Sequence, residues 1–508
     1  MPTDRVSPDD GYHVVPIHSE SDAQVPRNLN DQQVLILSQR SPCCNRDLRN
    51  QPQANAVGAA ALIFLSGGIH IAWSIGFDSL LAELVVTNHV RISWFIAAII
   101  GALLGGFFSR WFPYKVLMEF CSLLTFIGGI LMAVNRMDLD ALLAGRYLNG
   151  LANGLALAPT LAMAGELSVF YKRGTTTSAT EQWPTTIGIF VQIVCSVVWD
   201  SQSDFTVEQF QGVISGVLGA TALLLAFLLS IDSPVDLLQQ GNEQGAIEAL
   251  SRLQRPRAVT AETYDQVRDH RTYLDHHRSM GWRHALPALV RLSVLRIFYG
   301  LSFSVMVVFT IFYGLSFSVM VVFTLTWTST EVYGGSSGPY VLFGLLRLVG
   351  SFSSAFALDS LGRKIPLLLG LVISGGLSFG LATRFAGSEF LKFSDSRMAL
   401  WLLLIYQLFA GIAFAPSSTY LSEAFPHRIK RQCIAFCYAL EMIAQLLICQ
   451  VDLSAIGSDT SYIALYFFTL GGLLLAGFLF SIWYMPETKD TTLLQAQFKF
   501  QEFVIPPA

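Results

Sequence analysis

Apolar residues in this chain come in long blocks separated by short polar loops. That scale fits neither the two-residue alternation of a half-buried strand nor the single apolar stripe of a soluble helix. A hydrocarbon layer of about 30 Å takes roughly 20 apolar residues per helix. Windows of that length find runs near 56–77, 92–109, 115–134, 141–164, 184–200, 209–231, 292–326, 339–358, 365–383, 398–421, 433–451 and 462–484. The pattern predicts an all-α membrane protein of twelve transmembrane helices. Residues 56–231 form a first six-helix bundle and 290–484 a second, pseudo-repeated one, joined by a polar linker at 232–289. The polar segments 1–55 and 485–508 read as tails, the first of them disordered. No cleavable signal is visible, so the run from Ala56 serves as an uncleaved insertion signal.

Lys and Arg in the short loops set the orientation. One side carries Arg110, Lys115, Lys172, Arg173, Arg363, Lys364, Arg428, Lys430 and Arg431, together with the Arg-rich linker, and the other side carries few. The basic side is expected in the cytoplasm with both termini.

The seventh run departs from this regularity. IFYGLSFSVMVVFT stands at 297–310 and again, unchanged, at 311–324. A continuous helix over 292–326 would be roughly 50 Å long at about 1.5 Å per residue, well beyond the hydrocarbon layer. One copy suffices for a span, so the repeat reads as a recent duplication or a gene-model error, with any surplus breaking near Gly314.

Composition agrees with lipid as the solvent. Hydrophobic residues make up 53% and charged residues 13%, too few to coat soluble domains of this length. The net charge of −4 implies no nucleic-acid partner. The seven scattered cysteines give neither a disulfide framework nor metal-ligand spacing, and Cys43-Cys44 reads as an incidental pair. No Walker A, HExxH, GxSxG or Rossmann pattern occurs, so neither an enzyme nor a cofactor is expected.

Six loop motifs carry more specific information. Gly145-Arg146 with Gly150 and Gly154 opens the fourth run. Glu166 is followed by Arg173-Gly174. Asp232-Ser233-Pro234 ends the sixth run. Asp359-Ser360-Leu361-Gly362-Arg363-Lys364 follows the eighth, Ser422-Glu423 with Phe425-Pro426, Arg428 and Lys430 the tenth, and Pro486-Glu487-Thr488-Lys489 the twelfth. In this order, over about 56–490, they resemble the sugar porter family of the major facilitator superfamily, which includes glucose and insect trehalose facilitators. The resemblance implies a secondary transporter working by alternating access as a monomer in the plasma membrane. It also implies a lock at the cytoplasmic ends, to which Arg110, Arg146, Glu166, Arg173, Asp359, Arg363, Glu423 and Arg428 are assigned.

The expected substrate positions depart from that family. Its seventh span supplies a Gln-Gln pair and an Asn, whereas this chain has Tyr299 and Ser302 there, with copies at Tyr313 and Ser316. Ser417-Ser418 stands for Pro-Trp, and Glu441-Met442 for Asn-Trp. Gln182 and Gln192 keep amides that can bond paired hydroxyls. Candidate substrate residues are therefore Gln182, Gln192, Tyr299, Ser302, Ser417, Ser418 and Glu441. Ionisable groups within apolar runs are functional candidates, so Asp78 (as a partner for Arg146), His70 and Glu441 are candidate proton carriers. The expected solute is a sugar, by uniport or proton symport. Two other readings stand beside it: a non-sugar solute such as an organic cation, and a non-transporting sensor on the same fold.

Overall fold

The computed structural model describes residues 56–77, 88–134, 138–169, 171–199, 205–253, 259, 261–279, 318–386, 393–425, 427–450 and 460–502. Among them are eighteen helices and no strand. Those at the first six predicted runs are α1 (Gly58–Ser74), α2 (Asn88–Phe108), α3 (Tyr114–Val134), α4 (Leu139–Leu167), the pair α5 (Arg173–Thr180) and α6 (Gln182–Val198), and α7 (Val207–Leu229). Three polar helices follow: α8 (Pro234–Gln239), α9 (Glu243–Arg252) and α10 (Ala261–Ser279). The second half holds α11 (Val319–Tyr333), α12 (Gly338–Ala357), α13 (Lys364–Phe385), α14 (Phe393–Phe414) with α15 (Ser417–Ala424), α16 (His427–Cys449) and α17 (Thr460–Tyr484), then a tail helix α18 (Leu493–Glu502). Every predicted run therefore overlaps a described helix. Eight helical segments of the described chain are long and apolar enough to cross a membrane by themselves.

Three boundaries differ from the sequence expectation, each for a local reason. The fifth run, expected from 184, is preceded by the short helix α5, set off from α6 at Glu181 because Pro184 has no N–H to give the Thr180 carbonyl. The tenth divides before Ser417, where Pro416 interrupts the ladder in the same way. The seventh continues past 326 to Tyr333, through a stretch rich in Thr and Ser. Thr324, Thr326, Thr328 and Thr330 each donate to a carbonyl four residues back, so their hydroxyls are satisfied within the helix. The first copy of the 14-residue repeat and the first half of the second lie outside the described residues, as do the two tails up to Asn55 and from Phe503.

Small residues set the helix spacing. A Cβ at Gly154 would run into the Ala98 carbonyl of α2, and one at Gly188 into the Leu65 carbonyl of α1. Backbone-to-backbone approach of this kind is how helices associate where lipid removes the hydrophobic drive. The two halves meet chiefly along α2 against α16 and α6 against α12. In each contact the second span of one half meets the fifth of the other, which is an internal two-fold relation. Large apolar side chains such as Phe107, Val217, Leu224, Phe227, Leu447 and Leu465 point outward, where lipid would lie.

Candidate functional site

At the basic end, buried ion pairs tie one half to the other. Arg173, at the start of α5, places Nη1 3.3 Å from Glu423 Oε1 on α15. Arg363 approaches the same oxygen at 3.5 Å and Asp359 at 3.8 Å. Asp359 accepts hydrogen bonds from the backbone N–H groups of Gly174 and Thr175, both at 3.0 Å. Gly362 turns the chain with φ +98° against the Glu487 carboxylate, which accepts from the N–H groups of Arg363 and Lys364. A Cβ there would strike Glu487, so the loop needs glycine.

Glu166 has different partners from those its spacing to Arg173 implied. It accepts from Ser233 at 2.7 Å, sits 3.0 Å from His427 Nδ1 and 3.9 Å from Lys430 Nζ. His427 Nε2 reaches Asp236 of α8 at 3.4 Å, and Arg431 pairs with that same carboxylate. Burial opposes a charge on His427, yet Glu166 and Asp236 outweigh it and push the imidazole up to about 9. Nearby on α10, burial pushes His270 down to about 4. Two acidic motif residues are thus held by cations of the opposite half: Glu423 by Arg173, and Glu166 by His427 and Lys430.

Further inside, polar side chains of the two halves face one another. The hydroxyls of Thr177 and Thr419 lie 2.7 Å apart, and Ser178 donates to the Ala415 carbonyl. Gln182 Nε2 donates to Ser417 Oγ at 3.1 Å and to Glu181 Oε2 at 2.7 Å, while Ser418 Oγ donates to the same carboxylate at 2.6 Å. The break at Pro184 is what frees Glu181 to face this interior. Glu441 on α16 is 9% exposed and lies within the electrostatic reach of Glu181 and Arg347. Arg347 donates to Gln407 at 2.9 Å.

A second buried cluster occupies the other end of the first half. Arg146 of α4 donates to the Val90 carbonyl at 3.1 Å and to Ser93 Oγ at 3.3 Å, bonds Ser74, and stands 3.5 Å from His70 Nδ1. Its guanidinium lies 4.1 Å over the Trp73 ring. Trp73 Nε1 in turn donates to Glu208 Oε1 at 3.4 Å, and Gln211 Nε2 meets His70 Nδ1 at 3.2 Å.

The structure brings Gln182, Ser417 and Ser418 together, and it brings Glu166, Arg173, Asp359, Arg363 and Glu423 to one end. Gln192 is separate and donates to the Phe77 carbonyl. Arg146 does not belong with the motif-loop ion pairs: about 20 helical residues, roughly 30 Å, separate it from Glu166. Arg110 is exposed in the turn after α2, where Pro113 leads the chain away, with no ion pair among the described residues. Asp78, Tyr299 and Ser302 lie outside the described residues, as does the side chain of Arg428. Sequence reasoning missed Glu181, Glu208 and His427. Glu208 carried one usable signal, an acidic residue in the first turn after the Thr206 N-cap of an apolar helix.

The family described as "Sugar (and other) transporter" matches residues 50–500. The arabinose-proton symporter of Escherichia coli (strain K12) is 23% identical over 481 residues, covering 91% of this chain and 96% of its own length. The galactose-proton symporter of the same strain is 24% identical over 444 residues, covering 85% and 91%. Among solved structures, the proton:xylose symporter XylE bound to 6-bromo-6-deoxy-D-glucose superposes with a TM-score of 0.68 at 20% identity, covering 87% of this chain and 98% of that one. That likeness shows the fold, which is the twelve-helix, two-bundle architecture of the major facilitator superfamily.

Proposed function

The chain belongs to the sugar (and other) transporter family, and on that premise we propose that it is a secondary transporter that moves a sugar across the membrane by alternating access, together with a proton. The observation that carries this reading is the ion pairing between halves. Arg173–Glu423 and His427–Glu166 close one end of the space between the bundles and involve no residue deep inside it. Two rigid halves that rock about α2–α16 and α6–α12 would break these pairs and open that end. The positive-inside pattern puts this end in the cytoplasm, and the plasma membrane is the proposed location.

Proton coupling is supported by the symporter names of the relatives and by the Arg146 cluster. His70 is an ionisable group within 3.5 Å of a buried guanidinium, and Glu208 joins through Trp73. A proton taken up on this network would change the attraction between α1, α4 and α7. The motion it favours would then depend on proton occupancy. Counterflow tests the transport: labelled glucose, xylose or arabinose should accumulate in proteoliposomes preloaded with the unlabelled sugar. Absence of counterflow for all three would overturn the reading.

A further inference from the structure

Glu441 is the one transport-path carboxylate described here that has no hydrogen bond or ion pair in the described structure. It is more than nine-tenths buried on a membrane-spanning helix. The charges that act on it are Glu181 and Arg347. Glu181 is already satisfied by Gln182 and Ser418, and Arg347 is already engaged by Gln407. Were both carboxylates ionised, two of them against one guanidinium would leave a surplus negative charge at Glu441, where no protein donor meets it. A buried anion requires a cationic partner and hydrogen-bond donors. A proton alone would cancel the charge and still leave the carboxyl unbonded. An ammonium group brings both the charge and three donors.

We infer that Glu441, with Glu181 behind it, receives the ammonium group of an amino sugar, whose hydroxyls meet Ser417, Ser418 and Gln182. The inference rests on the sugar-transport reading above and narrows its substrate class. Binding of such a solute brings the cluster to electrical neutrality, so occupancy itself removes the cost of the buried charge. A neutral hexose fits the hydroxyl partners and leaves Glu441 unanswered.

The test uses the full chain in proteoliposomes, with labelled glucosamine and labelled glucose at pH 6.5 and no imposed gradient. The KM for glucosamine should lie at least about tenfold below that for glucose. The ratio should fall to about one in Glu441→Gln and persist in Glu441→Asp, with N-acetylglucosamine behaving like glucose. Equal KM values in the wild type, a preference that survives Glu441→Gln, or one lost in Glu441→Asp would overturn the inference while leaving sugar transport standing. Uptake of both sugars stimulated alike by a proton gradient, and stripped of that stimulation by Glu441→Gln, would assign the carboxylate to the proton instead. Uptake of neither sugar by the wild type would overturn the transport reading and this inference with it.

Discussion

Arg173 and Glu423 are 250 positions apart in the chain, yet their side chains meet at 3.3 Å with 4% and 0% of their surfaces accessible. Removing one partner strands the other charge, which costs about 3–5 kcal/mol when such a pair is buried. Arg173→Ala or Glu423→Ala should therefore shift the population toward the state open at the basic end. Accessibility of a cysteine placed at Ser178 to a membrane-impermeant thiol reagent, added from that side, measures the shift. Unchanged labelling in both variants would count against a gating role.

The gate should also respond to pH on two limbs. The folded-state pKa of His427 is raised, so its contribution is complete below the ordinary 6.5 and fades as pH climbs through about 9. That of His270 is lowered, so its contribution is complete above 6.5 and fades as pH falls toward about 4. Thermal stability in detergent is expected to peak near pH 6.5, to flatten on the alkaline side in His427→Gln, and to flatten on the acid side in His270→Gln.

Helix spacing offers a third expectation. Gly154→Val puts a branched side chain against the Ala98 carbonyl and should cost about 1–3 kcal/mol through overpacking. Gly472, with nothing within 4 Å of its added Cβ, is the control and should tolerate valine. Melting temperatures of the two variants decide the point. Equal losses would show that close approach does not set the spacing.

Much of the fold was legible because lipid imposes a length on every apolar run, and the loop motifs gathered Glu166, Arg173, Asp359, Arg363 and Glu423 at one end. Pairing was not legible. Spacing along the chain joins Glu166 to Arg173, but the two-fold relation between halves hands Glu166 to His427 and Arg173 to Glu423. Glu181 escaped notice because its inward placement depends on a helix break made by Pro184. Arg146 was assigned to the gate by the resemblance, although its place at the opening of the fourth run sets it near the start of a 29-residue helix, at the end opposite Glu166.

For coupling, His70→Gln and Glu208→Gln should each reduce the stimulation of sugar uptake by an inward proton gradient, while counterflow, which needs no gradient, persists. Arg146→Lys should impair both activities, since a point charge cannot reproduce guanidinium bonds to Val90, Ser93 and Ser74. Full gradient stimulation in both His70→Gln and Glu208→Gln would place the proton elsewhere.

Alternating access itself is most directly tested at Thr177 and Thr419, whose hydroxyls lie 2.7 Å apart across the two halves. A Thr177→Cys, Thr419→Cys chain is reconstituted, and uptake of labelled glucose is measured before oxidation, after it, and after reduction of the cross-link. The account predicts uptake in the reduced form, loss when the disulfide holds the halves together, and recovery with reductant. Undiminished uptake through a fully cross-linked protein would contradict it.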